Sequence, residues 1–318
     1  MSLPTLNNIA NKSKIVLALK QYAKTRRQAR CVYEEDEMKI SQDMIESYRQ
    51  DGVVAVPGLL DQKELSIAQA AYEWSLANPG RGATKLIPGS PGAFYGDLAN
   101  PACFPSYESV NRDTPLADIV AALWQKTEVW FMYEQVFHKT GGETEQARRT
   151  PWHQDLPYLP IEGNDLAVAW ITFEPLTIEE SLEFVRGSHR GTLYDGSKFD
   201  PADDTIPLYD TGDLPRLPDI EADRSSYDIV SFAVQPGDVI MFHPAMLHGG
   251  APAASGKRRR TLSLRYFGDD ARVAWRPGDT MERIAKIGEG PHIHPMISAK
   301  KCGVEAPFRD DGFPKVRG

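Results

Sequence analysis

A chain of 318 residues with 41% hydrophobic and 25% charged residues has the composition of a soluble globular protein, long enough to bury a core without disulfides or a structural metal. Its net charge of -8 excludes a nucleic-acid binder that relies on overall attraction to phosphate. Three scattered cysteines, Cys31, Cys103 and Cys302, with no CxxC, indicate reduced thiols in an intracellular, cytoplasmic protein, and no apolar run approaches the roughly 18 residues of a membrane span.

In chain order, residues 1–39 are a basic extension. Lys12, Lys14, Lys20, Lys24, Arg26, Arg27 and Arg30 precede the first acid, with Ile15, Leu19 and Tyr22 at helical spacing. Such a segment is either an organelle transit peptide or a basic helix packed on the domain surface. Residues 40–318 are expected to form one domain. ISQDMIESYRQ (40–50) predicts a helix with Ser41 as N-cap and Ile45 and Tyr48 on its apolar face; DGVVAVPGLL predicts a turn, a strand and a turn. DQKELSIAQAAYEWSLANPG predicts a helix opened by an Asp61–Glu64 capping box and stopped at Asn78-Pro79-Gly80. After residue 125 the character changes. TEVWFMYEQVFHK, LAVAWITFEPL, DIVSFAVQPGDVIMFHP and RRTLSLRYFG are short aromatic and β-branched runs between Gly, Pro and Asp, which predict a β-sandwich or jelly roll. Residues 190–227 are a polar, Pro- and Asp-rich insertion, which reads as a lid or as a solvated acidic loop.

The segment TPWHQDLPYLP sets His153 two residues from Asp155. With 7 His and 44 acidic residues, about one such pair arises by chance, so the pair alone decides nothing. Enumeration narrows the partners. His138 ends a strand-like run, His189 sits at a turn, and His292 and His294 lie in a carboxy-terminal region of weak pattern. His243 and His248 flank PAML directly after the strand DVIMF, so one of these two is the expected third ligand. Residues two apart on an extended strand share a side, so HxD can hold one ion. Two imidazoles and one carboxylate on one face leave three positions of an octahedral ion open, which suits non-haem Fe(II) and oxygen chemistry. After His248 the chain turns and enters a strand headed by KRRR, either a solvated basic patch or the source of one inward arginine for a dicarboxylate. Alternation groups Arg259 with Thr261 and Ser263, and Arg260 with Leu262 and Leu264.

WHQD, SLEFVRGSH, PGDVIMFHPAMLHGG and RRTLSLRY, with YRQDGVVAVPGLL at the amino-terminal side, together resemble the phytanoyl-CoA dioxygenase family of Fe(II)- and 2-oxoglutarate-dependent oxygenases over about residues 40–275. The resemblance implies a mainly β double-stranded β-helix (jelly roll, cupin-like) with flanking helices, and iron held by His153, Asp155 and His248. It implies Arg259, eleven residues beyond the distal histidine, on the far carboxylate of 2-oxoglutarate, with Trp170 and Gln135 beside that co-substrate. For Trp170 the alternative is core packing, and for Gln135 it is service to a neighbouring backbone group. The implied reaction consumes O2 and 2-oxoglutarate, releases succinate and CO2, and hydroxylates or desaturates a C–H of a small-molecule substrate. Phe94, Tyr95 and Tyr158 are candidates for the substrate wall, and His243 has a structural place at the strand end.

Two departures stand out. Gly250 occupies the position, two after the distal histidine, where many members carry a hydroxyl, and the terminal KVRG is not a peroxisomal tripeptide. Glu183 and Arg186 are read as an ion pair on a strand edge with no functional role. Rival readings are a cupin-like metal enzyme that does not use 2-oxoglutarate, and a non-catalytic metal-binding sensor on the same fold.

Overall fold

The strand β12, Arg258–Phe267, has two different faces, and both need burial. Alternation sends Arg259, Thr261, Ser263 and Arg265 to one side and Arg260, Leu262 and Leu264 to the other. All but the terminal Arg258 and the half-buried Arg260 are buried. A strand covered on both faces belongs in the middle of a sheet. In the computed structural model, which describes residues 40–85, 93–143, 147–277 and 293–318, β12 runs antiparallel between β4 (Val129–Thr140) and β7 (Leu166–Thr172). β7, LAVAWIT, is buried at every position for the same reason.

The sheet around β12 follows the order β1 (Val53–Val56), β10 (Val239–Phe242), β7, β12, β4, β3 (Ala93–Leu98), β2 (Thr84–Lys85), with β14 (Lys315–Arg317) on the start of β4. A second sheet runs β5 (Thr150–His153), β11 (His248–Gly250), β8 (Leu182–Val185), β9 (Ile229–Ser231). Every pairing in both is antiparallel. The sheets face one another: Val168, Trp170, Ile240 and Phe242 of the first pack with Leu182 and Phe184 of the second. A short pair, β6 (Ile161–Glu162) and β13 (Arg272–Val273), stands apart. This is the double-stranded β-helix, or jelly roll, that the strand pattern and the resemblance led us to expect.

Helices cover the outer face of the larger sheet. Helix α1 (Gln42–Asp51) buries Ile45 and Tyr48, and the Tyr48 hydroxyl donates to the Leu166 carbonyl at 2.7 Å. Helix α2 (Gln62–Ala77) opens with the expected box: Asp61 accepts from the Glu64 N–H and Glu64 accepts from the Asp61 N–H, both at 2.8 Å. Helices α3 (Phe104–Arg112) and α4 (Leu116–Trp124) were not anticipated. LADIVAALW is apolar nearly all round and buried at seven of its nine positions, so it lacks the one-sided pattern that marks a surface helix. Asn111 of α3 accepts from the Tyr266 hydroxyl at 2.9 Å, tying this layer to the outer side of β12. Helix α5 (Pro295–Lys300) follows the capping His294.

Residues Gln42–Gly318 form one unit. The basic extension over 1–39, Cys31 and His292 lie outside the described residues. Cys103 and Cys302 are unpaired, and among the described residues no helix is long and apolar enough to cross a membrane.

Because both arms of the α2 capping box are made, Asp61→Ala should destabilise the protein by about 1 kcal/mol. Urea denaturation at unchanged m-value checks this, and an unshifted midpoint would mean that the cap is dispensable.

Candidate metal centre

The two histidines come together through strand register. His153 ends β5 and His248 begins β11, and they are direct Cα partners across the antiparallel pair. Their rings lie 4.2 Å apart, centroid to centroid. The Nδ1 of His153 lies 2.8 Å from the Pro151 carbonyl, and that of His248 lies 3.0 Å from the Met246 carbonyl. A carbonyl can only accept, so the proton sits on each Nδ1 and each Nε2 presents its lone pair to the interior. Burial, with His153 close by, lowers the pKa of His248 to about 4, so it is neutral and available as a ligand. Phe184 stacks on the His248 ring and Phe242 tilts against it, which fixes the ring plane.

Asp155 arrives differently from the extended-strand expectation. β5 stops at His153, and Asp155 has helical backbone angles at the entry to a single 3-10 turn, Leu156–Tyr158. Its N–H donates to the Pro244 carbonyl at 2.8 Å, which locks this turn against the chain leading to His248. The carboxylate Oδ1 then lies 3.5 Å from His153 Nε2 and 3.9 Å from His248 Nε2. One ligand atom from each residue falls within 4.8 Å of the others, and all three residues are buried. The second oxygen is engaged on the other side, where Oδ2 accepts from Nη2 of Arg265 at 2.8 Å. Burial alone would raise the pKa of Asp155, but Arg265 and the two imidazoles hold it well below the usual carboxylate range. The donor set therefore fits a divalent ion, with one oxygen kept free for it and three positions left on the cavity side.

That side opens into a cavity of about 430 Å³ between the sheets. Arg259, Thr261, Ser263 and Arg265 of β12 line it, as do Gln135 of β4 and Trp170 of β7, which are both Cα partners of Ser263. Arg259 is alone among the three arginines of KRRR in pointing inward. Arg258 and Arg260 both reach Glu174 on the outer face, at 3.7 and 2.7 Å. The guanidinium of Arg259 uses Nη1 on the carbonyls of Ala251, Pro252 and Glu180, and its buried Nε has no hydrogen-bond partner. An orphaned guanidinium N–H beside a cavity suits a carboxylate.

Phe94 and Tyr158 line the cavity, but Tyr95 does not, because alternation along β3 turns it to the other face beside His138. The insertion reaches the site. Phe199 stacks on Tyr158 at 5.9 Å and meets the His153 ring edge-on at 5.3 Å. Gln154, the middle of WHQD, holds this arrangement by donating to the Thr192 and Ala245 carbonyls while accepting from the Tyr194 N–H. Glu183 and Arg186 are not a pair: Glu183 binds Arg149 and Arg224, and Arg186 binds Asp51. His243 accepts from the Ala245 N–H and lies 3.2 Å from the Gly163 carbonyl, outside the trio. Gly250 has φ +86°, and a Cβ there would lie 3.2 Å from the Ser181 carbonyl, so this backbone disfavours the hydroxyl-bearing side chain that the resemblance leads one to expect at this position. Reading the residues alone missed Arg265. Its signal was the same alternation that groups Arg259 with Thr261 and Ser263, carried one step further.

Comparison with known proteins agrees with this architecture. A family model described as phytanoyl-CoA dioxygenase matches residues 48–261. A protein named probable phytanoyl-CoA dioxygenase from Caenorhabditis elegans is 27% identical over 164 residues, 51% of this chain and 50% of that protein. The peroxisomal phytanoyl-CoA dioxygenase of Homo sapiens is 26% identical over 157 residues, 49% of this chain and 44% of that protein. The chain thus spans about half the length of the curated relatives it matches. Among solved structures, the non-haem α-ketoglutarate-dependent epimerase SnoN of nogalamycin biosynthesis superposes with TM-score 0.61 at 20% identity, covering 87% of this chain and 98% of that one. EctD from S. alaskensis, solved with 2-oxoglutarate and 5-hydroxyectoine, gives 0.55 at 17% identity, covering 79% and 84%. These likenesses establish the fold.

Arg265 holds the spare oxygen of Asp155, so Arg265→Leu should lower Co(II) affinity ten- to a hundred-fold, with Arg265→Lys recovering part of it. Equilibrium titration under argon reads this directly; unchanged affinity in Arg265→Leu would remove the residue from the metal centre.

Proposed function

The chain belongs to the phytanoyl-CoA dioxygenase family, and from that membership and the geometry above we propose that it is an Fe(II)- and 2-oxoglutarate-dependent dioxygenase. It would oxidise an unactivated C–H of a small organic molecule, by hydroxylation or desaturation. The observation that carries this reading is the pairing, in one cavity, of a three-donor cluster with an inward arginine whose Nε lacks a partner. His153, Asp155 and His248 would hold the iron, and Arg259 the distal carboxylate of the co-substrate, with Trp170 and Gln135 on the walls between them.

Bound Fe(II) and 2-oxoglutarate would supply oxygen activation through oxidative decarboxylation to succinate and CO2. The chain supplies placement. The Nδ1 anchors keep both imidazoles turned toward one point, and Arg265 leaves Asp155 a single free oxygen. Arg259 sits six residues from Arg265 on the same face of β12, with Thr261 and Ser263 between them on the cavity wall, so the co-substrate would lie beside these two hydroxyls. Phe199, Tyr158 and Leu159 form an apolar wall that would exclude water and face the substrate, with the 190–227 insertion acting as a lid. The unpaired Cys103 and Cys302 support a reducing, cytoplasmic setting, and the charge of -8 supports a small molecule over a nucleic acid as partner.

Oxygen-dependent succinate release from 2-oxoglutarate with added Fe(II) tests the reading. Asp155→Ala and His248→Ala should each abolish it, whereas His243→Ala should keep most of it. Release that persists without oxygen or iron would exclude the assignment.

Co-substrate affinity gives a second test. A point charge does not replace a two-pronged grip, so Arg259→Lys should weaken 2-oxoglutarate binding about ten- to a hundred-fold, and Arg258→Lys should leave it unchanged. Equal affinities in the two variants would take Arg259 out of the site.

A further inference from the structure

A second buried cation stands next to Arg259. Lys139 of β4 is its direct Cα partner, and alternation from Gln135 and Phe137 turns both side chains toward the cavity side of the sheet. Lys139 is 0% exposed and Arg259 is 5% exposed. The Lys139 Nζ donates to the carbonyls of Arg148 at 2.7 Å and Ala251 at 3.0 Å, and lies 4.3 Å from the centre of the Phe94 ring. The Ala251 carbonyl also accepts from Nη1 of Arg259, so one backbone oxygen is shared by both cations.

Among the described residues, no carboxylate pairs with either. The acids whose charge reaches Arg259 are committed elsewhere, Glu180 to Lys257 and Glu174 to Arg258 and Arg260. Arg149, the other cation facing Lys139, is held by Glu183 and Glu221. On β3 the residue over Lys139 is Phe94, which carries no charge. Two buried, adjacent cations without a counter-ion are costly, and a lysine can relieve that cost by losing its proton, as an arginine cannot.

The local geometry accepts both forms of the amine. A neutral amine has two N–H groups, matching the two carbonyls, and an ammonium has a third, which the face of Phe94 can receive. Burial, together with the neighbouring Arg259 and Arg149, lowers the pKa of Lys139 to about 6, so the amine is neutral near pH 7.5 while no anion is bound. A carboxylate placed against Arg259 cancels that neighbour's repulsion and adds an attraction of its own.

We propose that Lys139 is a second, proton-linked cation of the co-substrate subsite: a dicarboxylate arriving at Arg259 draws one proton from solvent onto the Lys139 amine. The proton comes from the acid form of the buffer, an N–H bond forms on the Nζ lone pair, and no electrons change hands. The dianion thereby meets two positive charges where the anion-free protein holds one. This inference rests on the co-substrate reading given above, and it assigns to that subsite a dependence on pH.

Calorimetric titration of 2-oxoglutarate into the Co(II)-loaded protein without oxygen, at pH 7.5 in phosphate and in Tris, counts the protons taken up. The observed enthalpy should change with buffer ionisation enthalpy by close to one proton per ligand, and affinity should fall about tenfold per pH unit between pH 7 and 8.5. Lys139→Met should bind more weakly at pH 7, with no uptake and no such slope. Binding by the unsubstituted protein without proton uptake would overturn the inference and leave the co-substrate reading standing, and this comparison needs no variant to fold. Uptake that persists in Lys139→Met would place the proton elsewhere and overturn it too. Absence of any binding would overturn both.

Discussion

A strand that turns Arg259, Thr261, Ser263 and Arg265 toward the interior imposes a condition on everything around it. Each buried guanidinium left without partners would cost several kcal/mol, more than a protein of ordinary stability can carry at many places. The structure meets the condition at one end of β12 with a carboxylate and at the other with backbone carbonyls. At the first end, Asp155 neutralises Arg265, and the same contact holds the carboxylate where its other oxygen faces two imidazoles. At the second end, three carbonyls accept one Nη of Arg259 and leave its Nε unanswered. The chemical character of the cavity comes from this difference: one guanidinium is neutralised by a carboxylate through Nη2, the other meets only carbonyls, and both keep a buried Nε without a partner.

The smaller sheet contributes a rigid rung. Because His153 and His248 are partners across an antiparallel pair, their separation is set by strand spacing and does not depend on side-chain packing alone. Asp155 is added by a turn that hangs from Pro244, four residues before His248. The three donors therefore come from only two stretches of chain, and each stretch is hydrogen-bonded to the other. Holding three donor side chains on paired backbone places them more accurately than free loops would.

Much of this could be read from the residues, and the parts that could not have physical reasons. The strands after residue 125 were visible because β-branched and aromatic runs broken by Gly, Pro and Asp leave few alternatives. The choice of Arg259 over its neighbours came from the family resemblance, which places an arginine eleven residues after the distal histidine; alternation alone only grouped it with Thr261 and Ser263. Helix α4 escaped notice because LADIVAALW, apolar and buried nearly all round, shows no one-sided period. The shared side of His153 and Asp155 was anticipated with a mistaken cause: an extended strand was assumed where the chain has already turned. Alternation could place Arg265 on the inner face, but not its contact with Asp155, and the pairing of Lys139 with Arg259 joins strands distant in sequence, which no single segment displays. The same limit applied to Glu183 and Arg186, whose partners lie on other elements.

The wall facing the ligand trio is assembled separately from the trio itself. Phe199, which touches both Tyr158 and His153, belongs to the long connection after β8, whereas the three donors belong to the rung and its turn. Connections of this kind tolerate insertion, deletion and drift far better than paired strands do. Selection can therefore remodel this part of the cavity wall while leaving the three donors in place. Exchanging this one segment between relatives is accordingly a modular route to altered specificity, with Gln154 as the joint at which a transplanted segment must still fasten.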